Sequence, residues 1–228
     1  MIRRNIALIP AAGVGARFGA GKPKQYVEIN GKTVLQHTIE IFEQHPRIDL
    51  IAVILSPEDS VFQTALSEKV RVFRVGGASR AESVRNGVST LLEQGLAEAQ
   101  DNILVHDAAR CCLPAEALTR LLDEAEESNE GGILAIPVAD TLKRADGSHH
   151  IDETVVRAGL WQAQTPQLFQ TALLHRALSV DDLSEITDEA SAIEKLGIRP
   201  RLVQGDTRNL KLTLPQDEYI VRLLLKAV

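Results

Sequence analysis

Along the first two thirds of the chain, apolar runs of strand length alternate with stretches whose apolar residues recur at helical spacing. That alternation is the pattern of βαβ units feeding a largely parallel sheet. Strands are predicted at 6–10, 50–55, 70–75, 103–106 and 133–138. A helix opens at Thr33, where Thr33-x-x-Gln36 has the form of a capping box and Val34, Ile41 and Phe42 are candidates for burial. Two apolar stripes predict further helices: Val84, Val88, Leu91 and Leu92 within 80–93, and Leu118, Leu121 and Leu122 within 114–127. From 139 to about 164 the alternation breaks into two β-prone pieces around the polar turn Arg144-Ala145-Asp146-Gly147-Ser148, which predicts a hairpin projecting from the sheet. Helical spacing returns at 169–179 and 187–196, strands are predicted at 201–204 and 210–212, and a last helix follows Pro215. The expected class is α/β with a mostly parallel sheet, one domain over 1–228 carrying an arm at about 139–164.

The turn after the first strand carries the sharpest chemical signal. Ile6-Ala7-Leu8-Ile9-Pro10 runs into Ala11-Ala12-Gly13-Val14-Gly15-Ala16-Arg17-Phe18-Gly19 and then Lys22-Pro23-Lys24-Gln25-Tyr26. Between Arg4 and Glu28 stand three cations, Arg17, Lys22 and Lys24, and no carboxylate, in a chain of net charge -6. Small residues let the backbone approach a ligand, the N–H groups of such a turn bind phosphate oxygens, and Arg17 and Lys24 add charge-assisted bonds. The ligand so described is a polyphosphate, although a plain glycine-rich turn with solvated cations has the same composition. Spacing excludes two familiar phosphate loops. A Walker loop needs glycine where Ala16 stands and a hydroxyl where Pro23 follows Lys22. The dinucleotide fingerprint begins at Gly13 and Gly15 but meets Phe18 at its third glycine, and the strand at 50–55 ends in Ser56-Pro57 without an acid.

Bulk properties narrow the partners. The 228 residues are 44% hydrophobic and 25% charged, ordinary values for a globular protein with a buried core. A pI near 5.6 argues against general nucleic-acid binding and for small substrates. No apolar run approaches membrane-spanning length and Met1-Ile2-Arg3-Arg4-Asn5 has no signal-peptide core, so a cytoplasmic protein with no membrane partner is expected. Adjacent Cys111 and Cys112 make neither a disulfide framework nor a zinc knuckle, and read as core or loop packing. His149-His150 sits in a polar turn and reads as solvated rather than metal-binding.

Ligands of an open α/β sheet bind at the carboxyl ends of strands, which singles out four segments. The first is the cationic glycine loop. The second is Gly76-Gly77-Ala78-Ser79-Arg80-Ala81-Glu82-Ser83, which suits either a flat base on paired glycines with Ser83 at its edge, or a turn and helix cap. In the third, His106-Asp107-Ala108-Ala109-Arg110, Asp107 is placed to share a magnesium ion with a polyphosphate, or to cap the next turn. The fourth pairs Asp140-Thr141-Leu142-Lys143 with the return from Arg157 through Trp161 to Thr165-Pro166-Gln167. Late in the chain, Lys211 lies within the strand-like Asn209-Leu210-Lys211-Leu212-Thr213, where a charge is costly unless paired or functional.

Taken together, Pro10 to Arg17, Lys22 to Tyr26, Gly76-Gly77 with Arg80 and Ser83, His106 to Arg110, Asp140-Thr141 with Lys143, Arg157 to Trp161, Thr165-Pro166-Gln167, Thr187-Asp188-Glu189-Ala190-Ser191 and Asn209-Leu210-Lys211 resemble the 2-C-methyl-D-erythritol 4-phosphate cytidylyltransferases of the non-mevalonate isoprenoid pathway. Cys111 stands where that family usually has proline, a departure that touches loop stiffness more than chemistry. The resemblance implies a Rossmann-like nucleotidyltransferase fold, a homodimer formed by exchange of the arms, and transfer of a cytidylyl group from CTP to a sugar-alcohol phosphate with magnesium present. It implies that Arg17 and Lys24 stabilise charge on the attacked phosphate and that Asp107 lies near the metal and the acceptor. Pro10, Ala11, Ala12, Gly13, Gly15, Gly76, Gly77, Ser83, Ala108 and Arg110 would receive the nucleotide. Arg157 and Thr165, from the partner's arm, would hold the acceptor phosphate, with Thr141, Thr187 and Lys211 beside it. Such transfers are achieved by positioning and charge, so no nucleophilic Ser or Cys is expected. A ribitol 5-phosphate cytidylyltransferase shares the nucleotide loops, and a non-catalytic nucleotide-binding protein would be expected to lack the paired cations or Asp107.

Overall fold

Beyond Asn5, the first strand has no polar side chain on either face, so it must lie in a sheet covered on both sides. The computed structural model, which describes residues 3–13, 23–63 and 67–226, shows that arrangement. In chain order the elements are β1 (Asn5–Pro10), two-residue strands β2 (Glu28–Ile29) and β3 (Lys32–Thr33), α1 (Val34–Gln44), β4 (Leu50–Ile54), β5 (Val70–Phe73), α2 (Arg80–Glu93), β6 (Asn102–Val105), α3 (Ala115–Ala125), β7 (Gly132–Pro137), β8 (Leu142–Ala145), β9 (Ile151–Val155), β10 (Trp161–Gln170), α4 (Thr171–Leu178), α5 (Glu189–Glu194), β11 (Arg201–Gln204) and α6 (Asp217–Leu224). The main sheet has seven strands in the order β11-β7-β10-β6-β1-β4-β5, all parallel except β10.

Side chains alternate across this sheet with period two, and each face has its own helices. Ala7, Ile9, Val53, Leu104 and Leu168 pack with Leu35 and Phe42 of α1 and Leu118, Leu121 and Leu122 of α3. Ile6, Leu8, Ile54, Val105 and Phe169 face α2, α4 and α5 through Val84, Val88, Leu174 and Ile193. Each fully buried Ile or Leu contributes about 1.5–3 kcal/mol. A smaller cluster of Ile29, Val34, Ala109, Cys111, Leu212 and Val221 seats α6 under the loop after β6, and Cys111 is the packing residue expected of it.

Both halves of the capping box at Thr33 are made: Gln36 N–H donates to Thr33 Oγ1 at 3.2 Å and Thr33 N–H to Gln36 Oε1 at 2.7 Å. Thr33→Ala is therefore expected to cost about 1 kcal/mol, read as a lower urea midpoint with an unchanged slope.

The topology fixes where a ligand can sit. After β1 the chain moves outward on one side to β4 and β5, then returns to place β6 on the other side of β1. The crevice outside the carboxyl ends of β1 and β6 is thus the topological switch point. Antiparallel β10 enters beside it with a bulge, since the register passes from Ala163↔Ala135 to Gln167↔Ile133. The bulge presents Gln164 and Thr165 at the carboxyl end of β6, as bulges near active sites commonly do.

Three expectations need correction. The return from the hairpin is no short strand: Trp161–Gln170 is a ten-residue strand of the main sheet, and Phe169 lies in it rather than in the following helix. Its alternation continues because Phe169 has a core pocket to fill opposite Ile103. The hairpin itself is as read, β8 and β9 pairing antiparallel in a sheet of their own. Segment 210–212 is not a strand; Leu212 N–H donates to Ala109 O at 2.9 Å, tying the segment across the loop after β6.

Candidate active site

At the end of β6 the chain turns through Asp107, 8% exposed, and the turn is closed by Arg110 N–H donating to Asp107 O. Cations converge on this carboxylate from three segments. Arg80 Nε donates to Oδ1 at 2.8 Å, Lys211 Nζ lies 2.7 Å from Oδ2, and Arg110 Nε lies 3.7 Å from Oδ2. Arg80 turns its other two nitrogens onto Glu189 at 2.7 and 3.0 Å, and Glu189 is 1% exposed. Three cations against two carboxylates leave the cluster at +1. Burial pushes the Asp107 carboxyl upward, but Arg80 and Lys211 overcome it and hold the group well below the usual carboxylate range. Burial likewise opposes the charge of Arg80, and Glu189 and Asp107 more than restore it. Arg110 has burial and the Arg80 charge against it and Asp107 for it, with a net lowering. Such a cluster is costly to desolvate; Asp188, which lines the same hollow, offsets its surplus charge, and an incoming anion would be held by the convergent Arg and Lys donors.

On the β1 side, Ala11 N–H donates to Ile54 O, and the Gln25 amide donates to both Ala11 O and Gly13 O at 2.9 Å. Gln25 thereby ties the short 3-10 turn Lys24–Tyr26 to the glycine loop and brings Lys24 to its edge. Tyr26 anchors the turn from below, its hydroxyl 2.5 Å from Asp59 Oδ2. Gly15 and Arg17 lie outside the described residues. Gly76 is where the second loop meets the first: a Cβ there would stand 2.3 Å from Ala12 Cβ and 2.8 Å from Leu55 O. Gly76→Ala is expected to force these loops apart at a cost of about 1–3 kcal/mol, read as a lower urea midpoint. Ser79 caps α2, while Ser83 Oγ accepts from Gly77 N–H and donates to Ser79 O, so in this structure Ser83 braces the turn.

Two hollows open at the carboxyl edge. The smaller, 210 Å³, is lined by Arg80, Asp107, Arg110, Thr165, Thr187 and Lys211 among others. The larger, 590 Å³, lies at the ends of β7 and β11 between Pro137, Leu142, Gln162 and Asp206, and none of the cations of the cluster lines it. Volume alone favours the second; charge and the switch point favour the first, where chemistry on phosphates has its partners. Ala108 is buried behind Asp107 and Thr187 is exposed at the rim. Thr141 and Arg157 are exposed and line neither hollow, so the chain does not bring them to its own cluster.

Among the described residues no group of three or more His, Cys, Asp or Glu could hold a metal. Asp107, the expected ligand, has both oxygens facing cations, and a magnesium ion would have to displace Lys211 to reach Oδ2. In this structure the Asp107 carboxylate is thus held by cations on both oxygens.

Sequence reasoning assigned no role to Arg80, Glu189, His106 or Asn209. Glu189 follows the N-cap Asp188 and reads as an ordinary acid of a helix first turn. Its partner Arg80 is 109 residues away, so spacing carries no signal of the pair.

The profile of the family described as 2-C-methyl-D-erythritol 4-phosphate cytidylyltransferase (IspD) matches residues 5–227. A protein of that name from Neisseria meningitidis serogroup C is 69% identical over 231 residues, covering 100% of both chains. Another from Chromobacterium violaceum is 50% identical over 97% of this chain and 98% of its own. Among solved structures, a 4-diphosphocytidyl-2C-methyl-D-erythritol synthase superposes with a TM-score of 0.89 at 63% identity, over 99% of this chain and 100% of that one. The cytidylyltransferase of Francisella tularensis gives 0.82 at 32% identity, over 97% and 99%. Matched from the first strand to the last helix by profile, relatives and structures alike, the chain belongs to the 2-C-methyl-D-erythritol 4-phosphate cytidylyltransferase family.

Proposed function

We propose that this chain transfers the cytidylyl group of CTP to 2-C-methyl-D-erythritol 4-phosphate, giving 4-diphosphocytidyl-2-C-methyl-D-erythritol and pyrophosphate in isoprenoid precursor biosynthesis in the cytoplasm. The observation that carries the reading is the buried cation cluster on Asp107, open to a hollow at the switch point of a sheet whose next loop is the cationic glycine turn. An acceptor phosphate oxygen attacks the α-phosphorus, the bond from that phosphorus to the bridging oxygen breaks, and pyrophosphate leaves with the electron pair. The nucleophile belongs to the substrate, in keeping with a site whose Ser83 serves the turn and whose Cys111 is buried in packing.

Two phosphates brought together repel by about 4 kcal/mol per pair of unit charges at 4 Å and an effective dielectric near 20. In this reading Lys24, Arg17 and Arg110 serve the nucleotide, while Lys211 serves the acceptor. Lys211 is the mobile member: its side chain is 41% exposed, so it can pass from Asp107 to a phosphate, whereas Arg80 is fixed between two carboxylates. At 210 Å³ the hollow falls below the roughly 300–1,000 Å³ typical of ligand pockets, which suits the small acceptor, with the nucleotide along the β1 loop. Magnesium enters as the counter-ion of the triphosphate.

The working unit in this reading is a homodimer with exchanged arms, in which Arg157 of one subunit reaches the acceptor in the other. Support comes from Thr141 and Arg157 standing away from their own chain's hollows, and from Val156, Leu160 and Trp161 being 78%, 38% and 37% exposed beside Arg157. Incubation with magnesium, each of the four nucleoside triphosphates and either methylerythritol phosphate or ribitol 5-phosphate, following pyrophosphate, tests the activity. Release with CTP and methylerythritol phosphate is expected; a preference for ribitol 5-phosphate would reassign the acceptor, and no release with either would overturn the reading.

A further inference from the structure

The turn that carries Lys24 is tied to two different loops by consecutive side chains. Gln25 donates to Ala11 O and Gly13 O of the loop after β1, and the hydroxyl of Tyr26 donates to Asp59 Oδ2 of the loop after β4, 2.5 Å away. β1 and β4 are paired neighbours, so the turn spans the ends of two adjacent strands. Asp59 is itself well held. Its Oδ1 accepts from Val61 N–H at 3.1 Å and Phe62 N–H at 3.0 Å, its own N–H donates to Ser56 O, and its carbonyl accepts from Arg74 Nε at 3.1 Å. We infer that Tyr26, through its bond to Asp59, is a positioning residue for the transfer, one that fixes where Lys24 stands against the nucleotide. This inference rests on the cytidylyltransferase reading.

The direction of the bond follows from its partners. A carboxylate only accepts, so the phenol donates, and a hydrogen bond to an ionised acceptor is roughly twice as strong as a neutral one. Burial and Asp59 push the Tyr26 pKa up, which keeps the hydroxyl a donor. Core packing does not need the oxygen. The ring, 6% exposed, lies in the apolar cluster with Leu35, Ile39 and Leu55, where a phenyl ring would fill the same space. What the oxygen adds is a fixed position for the turn. Tyr26 N–H donates to Pro23 O at 2.9 Å and Val27 N–H to Lys24 O at 3.2 Å, so the backbone from Pro23 to Val27 moves as one piece and a shift at Tyr26 is carried to Lys24. A misplacement of about 1 Å can cost about 100-fold in rate, so a group that works by position alone is sensitive to such a shift.

A kinetic cycle with Lys24 tests the role. Tyr26→Phe should lower kcat by about tenfold with the KM for CTP unchanged, the split expected if Lys24 meets the attacked phosphate chiefly in the transition state. In a Lys24→Ala background the same change should cost nothing further in kcat, because the group that Tyr26 positions is gone. A purely structural tyrosine would lower kcat by the same factor in both backgrounds. That additive result, or an unchanged kcat in Tyr26→Phe alone, would overturn the inference. Asp59→Asn, which keeps the shape and weakens the acceptor, should show the same non-additivity with Lys24→Ala, and it decides the matter should Tyr26→Phe fail to fold. The bond itself is tested without the reaction. In urea unfolding, the cycle of Tyr26→Phe with Asp59→Ala should show the pair coupled by about tenfold in the unfolding constant, and no coupling would defeat the inference. Absence of cytidylyl transfer by the wild type defeats the functional reading and leaves the unfolding cycle standing.

Discussion

Lys24→Ala is expected to lower kcat by about two to three orders of magnitude, the loss seen when one preorganised oxyanion donor is removed. The fold should survive, because the turn that carries Lys24 is held by its neighbours: Gln25 through Ala11 O and Gly13 O, and Tyr26 through Asp59. In the proposed reaction, removing the ammonium takes away charge meant for the α-phosphate and leaves the rest of the triphosphate's proposed contacts in place. The loss should therefore fall on kcat more than on CTP affinity. Pyrophosphate release measured beside a urea titration separates the two, and near-normal turnover by a folded variant would remove Lys24 from the mechanism.

Asp107→Asn should harm both stability and turnover. The substitution keeps the shape and removes the charge that Arg80, Lys211 and Arg110 share. Breaking a buried pair costs about 3–5 kcal/mol, and the lower end is expected because Arg80 keeps Glu189 and Lys211 is partly in water. The pH dependence carries a sign. Because the folded carboxyl titrates below its unfolded value near 3.9, its stabilising contribution is complete above that value and is lost as pH falls through the folded pKa. Wild-type stability should thus fall faster than that of Asp107→Asn as pH drops below about 4. His106 adds a loss of its own as pH falls from its ordinary value of 6.5 toward about 4; the Asp107 charge holds the His106 pKa up, so this separate loss is larger in Asp107→Asn and is complete above the range where the carboxylate titrates. Urea unfolding across this range checks the difference, and parallel curves would show that the carboxylate is not the keystone.

The succession of strands and helices, though not the order of strands in the sheet, was legible in the chain because its inner strands are apolar on both faces and its helices carry single stripes, as at Val84, Val88 and Leu91. The capping box at Thr33 and the cation Lys211, paired as its setting in the sequence required, were equally legible. Segment 210–212 misled because Leu210 and Leu212 alternate around Lys211 as a strand would, yet Leu212 packs with Cys111 and Val221 in the small cluster beneath the loop. The hairpin was read, but the length of β10 was not, since Gln164 and Gln167 look like turn residues until the bulge and their bonds to Asp206 and Asp188 are seen. Within the site, Lys24 and Lys211 announced themselves as cations in an acidic chain. Arg80 with Glu189, and His106 with Thr165, did not, because pairing between segments 109 and 59 residues apart leaves no local pattern.

The central claim is that the crevice between β1 and β6, with its cation cluster, receives the reacting phosphates. A crystal structure of the protein with CTP and magnesium tests it most directly. The phosphates are predicted to lie against Ala11 to Gly13, Arg17 and Lys24, with Arg80 still bridging Asp107 and Glu189. A nucleotide seated instead in the 590 Å³ hollow at the ends of β7 and β11, with Lys24 and Asp107 untouched, would contradict it.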